Sequence, residues 1–214
     1  MKKIVSPVAQ SATAAPSQRA WQRMLSGRRL DLLDPDPADI EIEDIAHGLA
    51  RVARWNGQTL GANAFSVAQH SLVVDEIAGG RNPEWPPRWR LAALLHDAPE
   101  YVIGDLISPF KAAIGLDYKQ LERRLLAAIH TRYRLPPELP DAIQAEIKAC
   151  DRIAAFYEAT RLAGFGLEEA ITFFGEPIGL SEESTEMLEN LRPLPADEAQ
   201  RAYLARFAWL MEQL

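Results

Sequence analysis

The sequence is poor in cysteine and has no long hydrophobic run. Its 214 residues include one cysteine, Cys150, which excludes an internal disulfide and indicates a reducing, cytoplasmic compartment. No apolar stretch approaches the roughly 20 residues that a membrane-spanning helix needs, so no membrane association is expected. Residues 1–18 begin with Met and two lysines, but Pro7 and Gln10 interrupt their short apolar part. We interpret them as a flexible N-terminal tail rather than a secretion signal.

Basic residues are also too few for a polyanion-binding surface. The chain has 23 lysines and arginines against 30 acidic residues, and its formal net charge is −7. Without a basic stripe to displace counterions, a nucleic-acid polymer is not expected as a partner. A small anionic ligand remains compatible with this composition, provided that its site is locally positive.

Alternating strand patterns are lacking, and the hydrophobic periodicity is helical almost throughout. The length suits one compact domain over residues 19–214, so we predict an all-α helical bundle. Asp39 and Asp141 are predicted helix N-caps, and Ser66 with Gln69 fits a capping box. The predicted helices cover about residues 21–25, 39–53, 66–80, the segment from Pro86, 116–133, 141–163, 166–174, 181–190 and 196–214.

Histidine is scarce as well, and two of the four histidines stand in contexts typical of metal ligands. His70 follows the capping box, and His96 forms a polar pair with Asp97 directly after an apolar run. Pro99 disturbs the helix at that pair. Asp151 lies at the inner edge of the apolar stripe of a later helix, where an unpaired carboxylate is costly. Together these four residues are suited to hold a divalent cation and leave positions for water and substrate.

Each of these residues also has a purely structural interpretation. His70 can be an ordinary core or cap-region histidine, and His96-Asp97 a helix C-terminal turn with a satisfied imidazole. Asp151 can form a salt bridge with Arg152 or a neighbouring lysine, although Arg152 and Lys148 are predicted to project away from the stripe. His47 and His130 carry no ligand pattern, and Cys150 is interpreted as a packing residue.

The order His, His-Asp and a distant Asp resembles the HD-domain metal-dependent phosphohydrolases, an all-helical family. Over about residues 49–163 the sequence resembles bacterial 5'-deoxynucleotidases of the YfbR type. The motifs that carry this resemblance are Arg54-Trp55, Glu100, Gly104-Asp105-Leu106 and Ser108-Pro109. One departure is Gln69, where such proteins tend to have Glu before the first ligand.

The resemblance implies a metal-dependent phosphohydrolase that cleaves a phosphomonoester, a (deoxy)nucleoside 5'-monophosphate above all, with a metal-activated water. It also implies a homodimer. One divalent cation (Mn, Co, Zn, Mg, Fe or Ni) is expected. The implied metal ligands are His70, His96, Asp97 and Asp151; the implied catalytic residues are Glu100 and Asp105; the implied substrate contacts are Arg54, Trp55, Asp105, Leu106, Ile107 and Ser108.

Two alternatives stay open at this point. One is a hydrolase of another small phosphate or pyrophosphate ester. Hydrolases of the guanosine tetraphosphate type have an Asp directly after the glutamate of this motif. This chain has Tyr101 after Glu100, which makes that substrate less expected. The other is a catalytically inactive helical module that binds a nucleotide or a metal. Glu100 and Asp105 argue against the second alternative, because a binding module does not need them.

Overall fold

The computed structural model describes residues 20–105 and 116–214. Within these ranges the chain is largely helical, which confirms the predicted all-α class. The predicted tail, residues 1–18, lies outside them. The helices are α1 (Ile42–Leu49), α2 (Val67–Arg81), α3 (Pro87–Leu94), α4 (Glu100–Ile103), α5 (Leu116–Arg132), α6 (Asp141–Arg161), α7 (Leu167–Phe174), α8 (Glu182–Glu189) and α9 (Ala196–Met211), with 3-10 turns at Pro37–Asp39 and Arg54–Gly57.

A short β-hairpin occupies the place of the first predicted helix. Strands β1 (Trp21–Arg23) and β2 (Arg29–Asp31) pair antiparallel, with Gln22 opposite Leu30. Gly27 closes the turn at a φ of 90°, a conformation that favours glycine. The prediction of a helix over residues 21–25 was therefore wrong. Three-residue strands are too short to produce a readable alternation, and of the strand residues only Leu30 is buried.

Two predicted helix caps are also displaced. Asp36, not Asp39, acts as an N-cap: its carboxylate accepts a hydrogen bond from the Ala38 backbone N–H at 2.9 Å and starts a 3-10 turn. Helix α1 begins only at Ile42 and has no side-chain cap. In α6 the N-cap position belongs to Pro140, and Asp141 is the first helical residue. An acidic residue in the first turn favours a helix start without being the cap itself, because it interacts with the helix dipole.

Helix α2 lies at the centre of the bundle and packs against α3, α6 and α9. Its residues are buried on nearly all sides, which is why its sequence shows no clean polar face. The buried hydrophobic side chains of the described residues form one connected core around it. None of the helices in the described residues combines the length and hydrophobicity that crossing a membrane requires.

The break between α3 and α4 places the His-Asp pair in a turn. Helix α3 ends at Leu94, and residues 95–99 form turns before α4 starts at Glu100, which confirms the predicted disturbance by Pro99. Helix α4 lies tightly against α1: a Cβ at Gly48 would be 2.8 Å from the Tyr101 Cβ and 2.9 Å from its carbonyl oxygen. Gly48 therefore permits the close approach that holds α4, and with it Glu100, in place.

Candidate metal centre

His70 is held in the first turn of α2 by the predicted cap. The Ser66 Oγ accepts a hydrogen bond from the Gln69 backbone N–H at 3.2 Å, which confirms Ser66 as the N-cap. The other half of the capping box is not formed. The Gln69 side chain instead donates to the Arg192 carbonyl at 2.7 Å and accepts from the Leu194 N–H at 2.9 Å. The residue directly before His70 thus links α2 to the segment that precedes α9.

The turn after α3 brings His96 and Asp97 to His70. Ligand atoms of these three residues all lie within 4.8 Å of one another, so the group is suited to hold a metal ion. The Asp97 Oδ2 lies 3.1 Å from the His96 Nε2 and 3.4 Å from the His70 Nε2. Helix α6 adds the fourth predicted residue, because the Asp151 Oδ1 lies 3.3 Å from the same His70 nitrogen.

The hydrogen bonds of the two imidazoles determine which ring nitrogens face the carboxylates. The His70 Nδ1 contacts a Glu158 carboxylate oxygen at 2.6 Å, and the His96 Nδ1 contacts the Ala93 carbonyl at 2.9 Å. Both partners only accept, so each Nδ1 donates, and in a neutral imidazole each Nε2 then carries a lone pair. Neither Nε2 has a hydrogen-bond partner within residues 20–105 and 116–214.

Lone pairs that point at carboxylate oxygens repel them, unless a positive charge lies between. His70, His96 and Asp97 therefore form a group that fits a cation, with Asp151 facing the same His70 nitrogen, and without a cation the arrangement fits protons. Burial and Arg54 lower the pKa of His70, but Glu158, Asp151 and Asp97 outweigh them and hold that pKa well above its ordinary value. Burial disfavours ionised Asp97, yet His96 and His70 keep its pKa well below the ordinary range.

Asp151 has a second partner that sequence reasoning had discounted. The Lys148 Nζ contacts the Asp151 Oδ2, one helical turn away. The prediction that Lys148 projects away from this carboxylate was wrong. Its flexible side chain extends along the helix from an exposed position to the Asp151 carboxylate. Asp151 thus faces His70 with one oxygen and a solvent-exposed lysine with the other.

Sequence reasoning missed Glu158, the carboxylate that contacts the outer nitrogen of His70. The Glu158 side chain is fully buried. Its Oε2 accepts hydrogen bonds from the Trp55 Nε1 at 2.9 Å and the Arg54 Nε at 3.2 Å. A signal was present: Glu158 follows Asp151 by seven residues, which is two helical turns, on the same apolar stripe. A second carboxylate on that stripe needs a partner as much as the first.

The other predicted site residues lie around this cluster. Arg54 bridges Glu158 and Asp105, because its Nη1 also lies 3.5 Å from the Asp105 Oδ2. Glu100 is 1% exposed and begins α4 one turn after Asp97. The predicted substrate contacts Leu106, Ile107 and Ser108 lie outside the described residues.

Trp55 has an unusual backbone and an aromatic environment. Its φ is 57° and that of Asn56 is 50°, so two successive non-glycine residues adopt the left-handed conformation. The Trp55 ring packs edge-on against Phe165 and Phe174, at centroid distances of 5.5 and 5.9 Å. The indole is therefore fixed by packing on one side and by Glu158 on the other.

Comparison with known proteins identifies relatives but assigns no activity. The chain is 57% identical over 197 residues to the uncharacterized protein RCAP_rcc00048 of Rhodobacter capsulatus. The aligned region covers 92% of this chain and 98% of that protein. It is 31% identical over 174 residues to the uncharacterized protein YfdR of Escherichia coli K12, which covers 81% of this chain and 86% of YfdR. No family model matches the chain.

Proposed function

Since the chain belongs to the family that includes RCAP_rcc00048 and YfdR, we propose for it the function that its own site supports best. That function is metal-dependent phosphohydrolysis of the HD-domain type. The proposed substrate is a phosphomonoester, in the first place a (deoxy)nucleoside 5'-monophosphate. The proposed ligands of one divalent cation are His70, His96, Asp97 and Asp151.

One observation carries the proposal: the buried imidazole of His70 and the partly exposed imidazole of His96 both direct an Nε2 without a hydrogen-bond partner in the described residues at carboxylates. His70 and His96 are each fixed through Nδ1, and each Nε2 lies within 3.5 Å of the Asp97 Oδ2. A structural salt bridge arranges donors against acceptors, whereas the neutral imidazoles that a metal requires direct acceptors at acceptors here. Imidazole and carboxylate are ligands of hydrolytic transition metals, so a cation accounts for the arrangement.

A divalent cation bound there supplies a Lewis acid that activates water and polarises a phosphoryl oxygen. Glu100 is the proposed residue that orients the attacking water and takes up its proton, because it begins α4 one turn beyond Asp97 and is almost fully buried. Asp105 is the proposed acid that returns a proton to the leaving alkoxide. Arg54, 3.5 Å from the Asp105 carboxylate, is the proposed phosphate contact, because a guanidinium binds a phosphate through two parallel hydrogen bonds.

The preference for a nucleotide is supported by the aromatic side of the site. Trp55 is adjacent to Arg54 and packs with Phe165 and Phe174. A phosphate held by Arg54 therefore has a flat apolar surface beside it, which suits a sugar or base. The same pairing of Arg54 with Trp55 is the motif on which the resemblance to 5'-deoxynucleotidases rests.

The direct test is phosphate release from a panel of ribo- and deoxyribonucleoside 5'-monophosphates. The protein is stripped with EDTA and then supplied with Mn²⁺, Co²⁺, Mg²⁺ or Zn²⁺ in turn. We expect release from at least one monophosphate, only with added metal. Turnover of pyrophosphate compounds alone contradicts the proposed substrate class. Metal binding without turnover of any ester indicates a binding module instead.

A further inference from the structure

From its contacts we infer that Glu158 is a positioning residue that couples the metal centre to the Arg54–Trp55 segment. The inference rests on the proposed function, because it concerns the same site. Glu158 lies on α6, two turns beyond Asp151, and its side-chain hydrogen bonds within the described residues go to His70, Arg54 and Trp55 rather than to Asp97 or His96. Its role is to transmit the state of one metal ligand, His70, to the residues proposed to hold the substrate.

The geometry makes Glu158 the shared acceptor of three side chains. Its Oε1 accepts from the His70 Nδ1 at 2.6 Å. Its Oε2 accepts from the Trp55 Nε1 at 2.9 Å and from Arg54, whose Nε and Nη2 each lie 3.2 Å away. The carboxylate is fully buried, so no water competes for these bonds. One rigid group thus serves the metal centre with one oxygen and the substrate side with the other.

Only an ionised carboxylate satisfies both sides at once. All three partners present N–H donors, and a carboxylate is an acceptor at both oxygens. Glutamine has the same shape but one acceptor and one NH₂ donor. Whichever way the amide turns, a donor faces a donor, either at His70 or at the Arg54–Trp55 pair. Arg54 stabilises the ionised form: burial acts to raise the pKa of Glu158, but Arg54 and His70 lower it to about 2.

The segment that Glu158 holds is strained and therefore depends on such contacts. Trp55 and Asn56 adopt the left-handed conformation, which non-glycine residues disfavour. The backbone of the segment is anchored at one end by the Arg54 N–H, which donates to the Phe65 carbonyl at 2.8 Å. The hydrogen bonds to Glu158 attach the side chains of Arg54 and Trp55 to α6 and so keep them in their orientation.

A shared acceptor makes the two sides interdependent. A cation on the His70 Nε2 fixes the proton on its Nδ1, which strengthens the bond to Glu158 and orders the carboxylate. An ordered carboxylate in turn orders Arg54 and Trp55. By reciprocity, a phosphate that fixes Arg54 then tightens cation binding. Two ligands on opposite sides of Glu158 are expected to bind with positive cooperativity.

The test compares Glu158→Gln with Glu146→Gln, a matched control on the same helix. Glu146 accepts from Arg81 at 2.7 Å and from Asn82 at 3.1 Å, away from the candidate site. Isothermal titration with MnCl₂ measures cation affinity, and titration with inorganic phosphate is repeated with and without Mn²⁺. Hydrogen exchange by mass spectrometry follows residues 54–57. None of these measurements requires turnover.

We expect Glu158→Gln to weaken Mn²⁺ binding about 10- to 100-fold, as the loss of a partner of a ligating histidine does. Exchange at residues 54–57 in the Mn²⁺-saturated variant should rise roughly tenfold, since a buried donor is left unpaired. Phosphate binding should no longer depend on Mn²⁺. Glu146→Gln should match the wild type in all three measurements.

A second variant covers the case in which Glu158→Gln does not fold. Trp55→Phe removes one donor to Glu158 and keeps the ring. It should weaken Mn²⁺ binding in the otherwise wild-type protein, and unchanged Mn²⁺ affinity there overturns the coupling. Where Glu158→Gln does fold, Trp55→Phe should have no further effect in its background.

Unchanged Mn²⁺ affinity in Glu158→Gln, or additive effects of the two substitutions, overturns the coupling and leaves the proposed function standing. Mn²⁺ binding with intact coupling but no ester hydrolysis supports this inference and removes the proposed function. A wild-type protein that binds no divalent cation overturns both.

Discussion

Two buried polar clusters share helix α2, and they satisfy their charges in opposite ways. Asp75 is 1% exposed, and each of its oxygens accepts a hydrogen bond at 2.6 Å, one from Arg90 and one from Arg206. His70 lies five residues earlier, roughly 140° around the helix. There, nitrogen lone pairs face the carboxylates of Asp97 and Asp151 without a hydrogen bond.

The difference separates a structural cluster from the candidate functional one. The Asp75 carboxylate joins α2 to α3 and α9 and is complete without a ligand. The His70 cluster is complete only with an added positive charge. A cavity of about 480 Å³ borders Asp75 and Arg206. The balance of donors and acceptors is the feature that distinguishes the two clusters.

The largest expected effect comes from Asp97→Ala. It removes a carboxylate that contacts both imidazoles, so Mn²⁺ binding and phosphate release should both fall to background. Titration calorimetry and phosphate release measure the two effects. In the wild type, Mn²⁺ at about 100 times its Kd should add about 2.7 kcal/mol of stability, seen as a rise in melting temperature. The same rise in Asp97→Ala would contradict the ligand assignment.

Glu100→Gln should separate metal binding from chemistry. The substitution keeps the size of a buried side chain that is not among the proposed ligands, so Mn²⁺ affinity should not change. The rate constant kcat should fall about 10²- to 10⁴-fold, the usual contribution of a general acid or base. Steady-state kinetics at saturating Mn²⁺ measures this loss. Unchanged turnover would remove the role assigned to Glu100.

Asp75→Asn should affect stability and leave the metal centre intact. An amide offers one acceptor where two arginines donate, so one partly buried guanidinium loses its partner. Breaking such a buried pair costs about 3 kcal/mol of unfolding free energy. Urea denaturation gives this loss, and Mn²⁺ titration of the folded variant should match the wild type. A weaker Mn²⁺ affinity would show that the two clusters on α2 are coupled.

The smallest expected effect is on the pH dependence of stability and concerns His130, a buried histidine that contrasts with His70. His130 is 1% exposed, and neither ring nitrogen has a hydrogen-bond partner in the described part of the chain. Burial lowers its pKa from 6.5, against the opposing effect of the Pro137 and Pro136 carbonyls. As the pH falls below 6.5, the unfolded state therefore binds more protons than the folded state. The stability that the neutral His130 imidazole provides above pH 6.5 is lost as the pH falls below that value.

His130→Leu should remove that part of the pH dependence, which amounts to at most about 1.4 kcal/mol per pH unit. Urea denaturation at several pH values between about 7.5 and 5.5 measures it. An equal slope in wild type and His130→Leu would mean that this buried imidazole does not titrate as its environment indicates.

Local sequence determined the helical class, the Ser66 cap and the break at Pro99, because each depends on residues within one or two turns. The motif order also singled out His70, His96, Asp97 and Asp151. The hairpin at residues 21–31 was missed, since its strands are too short to show a period. Lys148 was misjudged because a long side chain can reach a carboxylate from outside the buried stripe.

Only the tertiary structure decided which atoms face each other. The chain alone indicated that several ligand-type residues exist, but not that both imidazoles donate through Nδ1 and leave Nε2 toward the carboxylates. It likewise did not reveal that Glu158 serves His70 on one side and Arg54 and Trp55 on the other. The physical reason is range: helix periodicity and caps act between neighbours in sequence, whereas these contacts join residues up to 104 positions apart.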